Sequence, residues 1–404
     1  MSLFAAVQLA PRDPILGLNE QFNADPNPAK VNLGVGVYFD ETGKLPLLAC
    51  VQAAEQLVND AHKPRGYLPI DGIAAYDKAV QRLVFGADSP LLAAGRVATV
   101  QALGGTGGLK LGADFLKKLK ADASVLISDP SWENHRALFT NAGFPVASYA
   151  YYDAEARGVN VEAMLADLAA AAPGSIVVLH ACCHNPTGYD ISPADWLRVI
   201  AVVKSRGLVP FLDLAYQGFG DGIAEDGAVV RQFIAADIDF FVATSFSKSF
   251  SLYGERVGAL SVVCASADDA ARVLSQLKIT IRTNYSNPPT HGAQVVTTVL
   301  DSPALRAQWE AELAGMRQRI QQMRSLLLDK LTTRLQAAGL QRDFSFIARQ
   351  RGMFSYSGLS QPQMQRLRNE FGVYGVDSGR ICVAALNTRN IDYVVDSMAR
   401  VIEG

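Results

Sequence analysis

The chain's chemistry-bearing residues gather in short polar loops that follow strongly apolar runs. The densest is Thr244-Ser-Phe-Ser-Lys248-Ser-Phe-Ser-Leu-Tyr-Gly-Glu-Arg256-Val-Gly258, which follows Phe240-Phe-Val-Ala243. Such an apolar run predicts a buried strand, and open α/β sheets collect ligands outside the carboxyl ends of their strands. Lys248, ringed by Ser245, Ser247 and Ser249, is an amine able to form an imine with a carbonyl. Arg256, eight residues on, is a fixed cation suited to a phosphate through two parallel hydrogen bonds.

Other loops supply what such an amine would need. Asp213 ends the apolar run Leu208-Val-Pro-Phe-Leu, where a lone buried carboxylate is costly unless it has a partner. A carboxylate there can pair with a pyridinium nitrogen, with His135 orienting it from behind. Tyr216 and Asn185 are donors able to stabilise a phenolate and lower an imine's pKa. Trp132, in a loop after a strand, offers a flat face to a ring. Gly104-Gly-Thr-Gly-Gly108 opens a helix, and with Gly105 and Thr106 it reads as a phosphate-binding turn. Arg282 and Arg380 lie beside apolar runs, and either can hold a carboxylate in a bidentate pair. An imine-forming lysine, a phosphate anchor and a partner for a ring nitrogen together point to pyridoxal phosphate.

Competing chemistries fit less well. The glycine turn misses the G-x-G-x-x-G register of nicotinamide folds, and no Lys-Ser/Thr follows it as in ATP-binding loops. His180 and His184 straddle a strand end with no acidic ligand spaced for zinc, so no metal site is expected. The five cysteines form no C-x-x-C pair and indicate neither a disulfide framework nor a zinc site. A net charge of −2 with interspersed signs marks no nucleic-acid or membrane surface. The N-terminus lacks a signal-peptide pattern, and no apolar run is long enough to span a bilayer, so a cytoplasmic protein is expected.

At 404 residues, 49% apolar and 19% charged, the chain is long enough for two or three domains with a large core. Residues 1–12 read as an arm, and Asp13-Pro14 as the cap of a helix over 15–23. Strands are predicted over 97–103, 124–127, 175–180, 208–213, 240–243 and 258–264, alternating with helices. That alternation implies an α/β fold around a mostly parallel sheet. The glycines at 104–108 are read as a tight turn preceding a helix over 109–119. A long helix is predicted over 302–338, then short strands at 352–356 and 380–384 around a helix at 361–371.

Taken together, these motifs resemble the fold-type I, pyridoxal-phosphate-dependent aspartate and aromatic-amino-acid aminotransferases. The resemblance runs from Asp13 to the end. It rests on Ser-Phe-Ser-Lys248, Cys-Cys-His-Asn185-Pro-Thr-Gly, Asp213-Leu-Ala-Tyr216-Gln-Gly-Phe, Gly-Glu-Arg256-Val-Gly and Asn-Tyr-Ser-Asn-Pro-Pro289. It implies a large, mostly parallel α/β domain (46–315), a smaller α+β domain (13–45 with 316–404), and a homodimer embraced by the arm. It also implies residue roles. Lys248 would carry the cofactor as an imine and, once freed, move the substrate proton. Asp213 would bind the pyridine nitrogen, Asn185 and Tyr216 the phenolic oxygen, and Trp132 would stack on the ring. Gly105, Thr106, Ser245 and Arg256 would hold the phosphate, joined by Tyr67 from the neighbouring subunit. Arg380, with Gly36 near it, would clamp the substrate's α-carboxylate. Arg282, again from the neighbour, would meet a distal carboxylate.

Within the family, strings such as Asp129-Pro-Ser-Trp-Glu-Asn-His and Arg351-Gly-Met-Phe-Ser-Tyr look more like the aromatic (tyrosine) enzymes. Phe39 and Leu45 supply apolar surface suited to an aromatic substrate. Thr106, Asn287 and the retained Arg282 look aspartate-like. The expectation is therefore dual specificity, with transfer to 2-oxoglutarate and a strict aspartate enzyme as the alternative. A lyase fits poorly, because a clamped α-carboxylate is badly placed to leave. A pyridoxal-phosphate-sensing regulator would need a DNA-binding module that the sequence does not display.

Overall fold

The computed structural model describes residues 2–10, 13 and 15–404. Met1, Pro11 and Arg12 of the expected arm, and Pro14 of the expected cap, lie outside the described residues. Asp13 does act as a cap: its carboxylate accepts from the N–H groups of Ile15 and Leu16, and the helix runs Leu16–Ala24.

The chain divides into two compact units. One comprises residues 1–44, 322–348 and 353–404; the other comprises 45–321 and 349–352. The second is built on a seven-stranded sheet. Its strands are β1 (Val97–Leu103), β2 (Val125–Asp129), β3 (Val146–Ala150), β4 (Ile176–His180), β5 (Val209–Leu214), β6 (Phe240–Ser245) and β7 (Val257–Val263). In space they run β1-β7-β6-β5-β4-β2-β3. Only β7 is antiparallel to its neighbours, pairing Gly258 with Ala102 on one side and with Ser245 on the other. The sheet is therefore mostly parallel, as the alternating pattern predicts. Strands β4 to β7 are buried almost without interruption, because helices cover both faces. Phe139, Phe211, Phe241 and Leu260 are among the side chains that fill the core.

One local expectation is corrected. The glycines at 104–108 are not a turn before a helix; they form the first turn of α1 (Gly104–Leu119). Helix propensity argues against glycine there, and close packing overrides it. A Cβ on Gly108 would lie 2.8 Å from the carbonyl oxygen of Ala259, and one on Gly112 would lie 2.5 Å from the Phe211 ring. Only bare backbone lets α1 approach the sheet so closely. Edge strand β3 was not anticipated. It is half exposed and reads Val-Ala-Ser-Tyr-Ala, too mixed to show as an apolar run.

The other unit holds two small sheets. Val31–Asn32 pairs in parallel with Val373–Tyr374, and Phe354–Tyr356 pairs antiparallel with Arg380–Cys382. Within the apolar run Val31 to Tyr38, only Val31 and Asn32 form a strand. The long helix spans Pro303–Ala337 and the short one Gln361–Phe371.

Candidate active site

Since β7 alone is reversed, β1, β2, β4, β5 and β6 end on the same edge of the sheet. The predicted residues of this unit, Tyr67 and Arg282 excepted, gather there. The Lys248 loop leaves β6 and returns as β7, closed at its base by the Phe246 N–H donating to the Val257 carbonyl at 3.0 Å. Two aromatic anchors pin it. Trp309 donates its indole N–H to the Ser249 carbonyl at 2.7 Å and stacks on Phe250 at 4.7 Å. Tyr76 donates its hydroxyl to the Gly258 carbonyl at 2.7 Å and meets Phe246 edge-on. The Lys248 ammonium lies 4.8 Å from the centre of the Tyr216 ring. Burial pushes its pKa down to about 8, with Arg256 adding to the fall and Asp213 opposing it.

Asp213 is 6% exposed and is held from behind, as the sequence suggested for His135. The His135 Nε2–H donates to Asp213 Oδ2 at 2.9 Å, and His135 Nδ1 is hydrogen-bonded to Ser131 Oγ at 2.9 Å. Burial raises the carboxyl's pKa, yet the hydrogen bond from His135 and surrounding positive charge outweigh this and hold it below the usual carboxylate range. An ionised carboxylate is thus kept inside the protein. His180 stands beside Asp213 in register across β4 and β5. Burial pushes its imidazole down to about 3, so it is neutral at ordinary pH. His184 stacks on Tyr151 at 3.9 Å and is bonded at both nitrogens, to Thr187 and Ser128.

Asn185 is buried, in a loop shaped by Asp190, whose two carboxylate oxygens accept from the N–H groups of Cys183 and His184 at 2.8 Å each. Trp132 is half-buried and stands edge-on to His135, ring centres 5.2 Å apart.

The first turn of α1 forms a cradle with the Lys248 hairpin. A Cβ on Gly104 would fall 2.6 Å from Arg256 Nη2, and one on Gly105 would fall 3.1 Å from Ser245 Cβ. Gly104 has φ +70° and Arg256 φ +54°. Arg256 is exposed, its guanidinium steadied by the Tyr253 carbonyl at 3.0 Å. Thr106 is partly exposed in the same turn. Unpaired N–H groups of a helix start, two hydroxyls and an arginine make a site for a phosphate. A half-buried amine, a buried ionised carboxylate and this cradle on one sheet edge fit pyridoxal phosphate by their chemistry.

Two predicted residues of this unit are exposed to solvent instead. Tyr67 is 95% exposed, and Arg282 is exposed on the last turn of a helix (Ala267–Asn284), bonded to Ser286. Arg380 belongs to the other unit. It is 2% exposed, donates to the Gly34 carbonyl at 2.6 Å, and lies over the Phe354 ring, against which Gly36 also packs.

Residues 28–398 match the family described as Aminotransferase class I and II. The chain belongs to that family. Aminotransferases of this class are pyridoxal-phosphate enzymes, so transamination with this cofactor is the activity of the chain. The aminotransferase is 64% identical to an aspartate aminotransferase of Pseudomonas aeruginosa, with all of both chains covered. It is 50% identical to an aromatic-amino-acid aminotransferase of Escherichia coli, covering 99% of this chain and all of the other. A crystal structure of an aromatic-amino-acid aminotransferase from Burkholderia pseudomallei, covalently bound to pyridoxal phosphate, superposes with a TM-score of 0.95 at 66% identity, covering 99% of this chain and 100% of that one.

Several supporting residues of the aminotransferase escaped the sequence reading. Ser131 sits in a quoted string without a role of its own, Asp190 lies outside the quoted motifs, and Trp309 and Tyr76 come from distant helices. Their signal is purely spatial.

Proposed function

We propose that this aminotransferase moves the amino group of L-aromatic amino acids and of aspartate to 2-oxoglutarate by a ping-pong mechanism. Pyridoxal phosphate, when bound, supplies a pyridinium ring that takes up the electron pair left at the substrate Cα. Lys248 binds the cofactor through its amine and, once released, carries the proton removed from Cα. Asp213, kept ionised by His135, holds the ring nitrogen protonated. Asn185 and Tyr216 donate to the phenolic oxygen, and Trp132 lies on the ring. The α1 cradle of Gly105 and Thr106, with Ser245 and Arg256, binds the phosphate. Arg380 pairs with the substrate α-carboxylate in the region of Gly36.

The observation that carries this reading is the juxtaposition of a low-pKa lysine with a buried carboxylate whose ionised form His135 stabilises. Exposure of Tyr67 and Arg282 supports a homodimer in which each serves the neighbouring site. The apolar arm, with Leu3, Phe4, Val7 and Leu9 all largely exposed, has the character of a surface that a second copy would cover. A large domain over 46–315 and a small one over 13–45 and 316–404, together with a cytoplasmic location, belong to the same reading. Among the described residues no helix is long and apolar enough to cross a membrane.

The near-UV and visible spectrum tests the substrate range. Addition of L-tyrosine and, separately, L-aspartate should each convert the cofactor absorption to that of its aminated form. The similarity to an aspartate aminotransferase at 64% identity favours strict aspartate specificity as the second reading. Conversion by aspartate alone would select it.

A further inference from the structure

His180 is the residue that the transamination chemistry leaves unexplained. It lies at the end of β4, is 7% exposed, and neither ring nitrogen has a hydrogen-bond partner among the described residues. An imidazole so buried and unpartnered is costly unless something else satisfies it. Its surroundings specify what that could be. The ligand atoms of His135, His180 and Asp213 all lie within 4.8 Å of one another, and the His135–Asp213 pair is 2.9 Å apart. A tetrahedral zinc-type ion with bonds of about 2.0–2.2 Å needs its ligand atoms roughly 3.3–3.5 Å apart. Meeting that spacing opens the His135–Asp213 pair by about 0.4–0.6 Å and brings the other pairs to the same separation from within 4.8 Å.

From these contacts we infer that His135, His180 and Asp213 form a latent site for a divalent transition ion in the cofactor-free protein, one that an ion and the cofactor ring occupy only in turn. Two imidazoles and a carboxylate, with solvent completing the shell, suit zinc or cobalt. The arrangement also has the outer support that metal histidines require. Ser131 Oγ lies 2.9 Å from His135 Nδ1 and can accept its proton, which leaves Nε2 free to ligate. For Nε2 to ligate, its proton moves to Nδ1, where Ser131 Oγ accepts it. The same Asp213 oxygen cannot serve a metal and a protonated ring nitrogen together, which makes the two occupants exclusive. The inference rests on the proposed seating of the ring nitrogen at Asp213. Chain spacing concealed the site, because its ligands are contributed by a helix (Glu133–Asn141) and two neighbouring strands.

The test titrates the full-length, cofactor-free protein with Co2+, following its visible d–d absorption. One Co2+ per chain is expected, and addition of pyridoxal phosphate should expel it. At zinc ten times its own Kd, competition should raise the apparent Kd for pyridoxal phosphate about elevenfold. His180→Asn should weaken Co2+ binding, and Ser131→Ala should weaken it about tenfold or more while leaving the buried core untouched. Cofactor uptake, seen in the visible spectrum, checks that each variant is folded. Unaltered Co2+ affinity in both variants, or equal Co2+ binding by the cofactor-loaded protein, overturns the inference. A chain that takes up no pyridoxal phosphate at all overturns the seating at Asp213 instead, and the Co2+ titration of His180→Asn remains readable.

Discussion

Trp309 holds the carbonyl of Ser249 from a helix sixty residues away in sequence, at 2.7 Å, and so fixes the backbone one position beyond the reactive lysine. The indole is 2% exposed and also stacks on Phe250. Trp309→Ala should destabilise the protein by about 3–5 kcal/mol, the usual cost of emptying so large a buried site. Trp309→Phe retains much of the packing but orphans the carbonyl, for about 1–3 kcal/mol. Urea denaturation measures both. If Trp309→Phe also lowers kcat more than it raises KM, the bond positions Lys248 rather than merely stabilising the fold.

Gly258 and Gly104 touch through bare backbone, since a Cβ on Gly258 would lie 2.4 Å from the Gly104 carbonyl carbon. No flexible side chain is available to yield. Gly258→Ala should therefore cost about 3 kcal/mol or more and move the start of α1. Gly104→Ala meets a left-handed φ of +70° and the Arg256 guanidinium instead. It should fold with about 1–2 kcal/mol of strain and bind pyridoxal phosphate at least about tenfold more weakly. Equilibrium dialysis of the cofactor would show it; unchanged affinity would remove Arg256 from the phosphate site.

The pH dependence of stability should carry a signature of Lys248. Burial disfavours the charge and pushes its amine down to about 8 in the folded, cofactor-free chain, from an ordinary lysine value of 10.5. Between those values the unfolded chain binds more protons, so this group's contribution to stability rises with pH. Below about 8 the buried charge is a standing penalty. Lys248→Met should therefore be more stable than the parent at pH 7, with the gap closing as pH rises past 8. A gap independent of pH would mean that the amine is not buried as charge. The same variant should have no measurable transaminase turnover.

Two arginines should separate the substrate classes. Arg380→Lys exchanges a planar fork for a point charge and should raise KM for every amino acid, by roughly 30-fold or more for a loss of about 2–3 kcal/mol. Arg282→Leu should raise KM for aspartate and glutamate by a similar factor and leave tyrosine nearly unaffected. Equal losses for tyrosine and aspartate in Arg282→Leu would sink the assignment of Arg282 to the distal carboxylate.

Long apolar runs made the buried strands legible, since β4 to β7 are covered on both faces and tolerate little else. Polar residues at their ends then stood out as the place where chemistry would collect. Residues whose role is only to hold those loops were not legible. Ser131, Asp190 and Trp309 look like ordinary loop and helix residues, and only tertiary packing gives them a partner. The glycines of α1 misled for a related reason. Local propensity favours a turn, while contact with Ala259 and Phe211 demands a helix without side chains. His180 went the other way: its place in the chain beside His184 suggests no ligand set, yet among the described residues its nitrogens have no hydrogen-bond partner.

The reversed direction of β7 has a consequence for how the protein assembles. Lys248 and Arg256 belong to one hairpin, so the distance from the amine to the proposed phosphate anchor is fixed by a short covalent connection. Asp213 reaches the same edge only through a parallel crossover, whose closure needs the intervening helices in place. Partial unfolding that frays the crossover while sparing the hairpin would leave a chain still able to capture an aldehyde phosphate but without the carboxylate that makes it reactive. Cofactor capture and catalytic competence would then be lost at different denaturant concentrations.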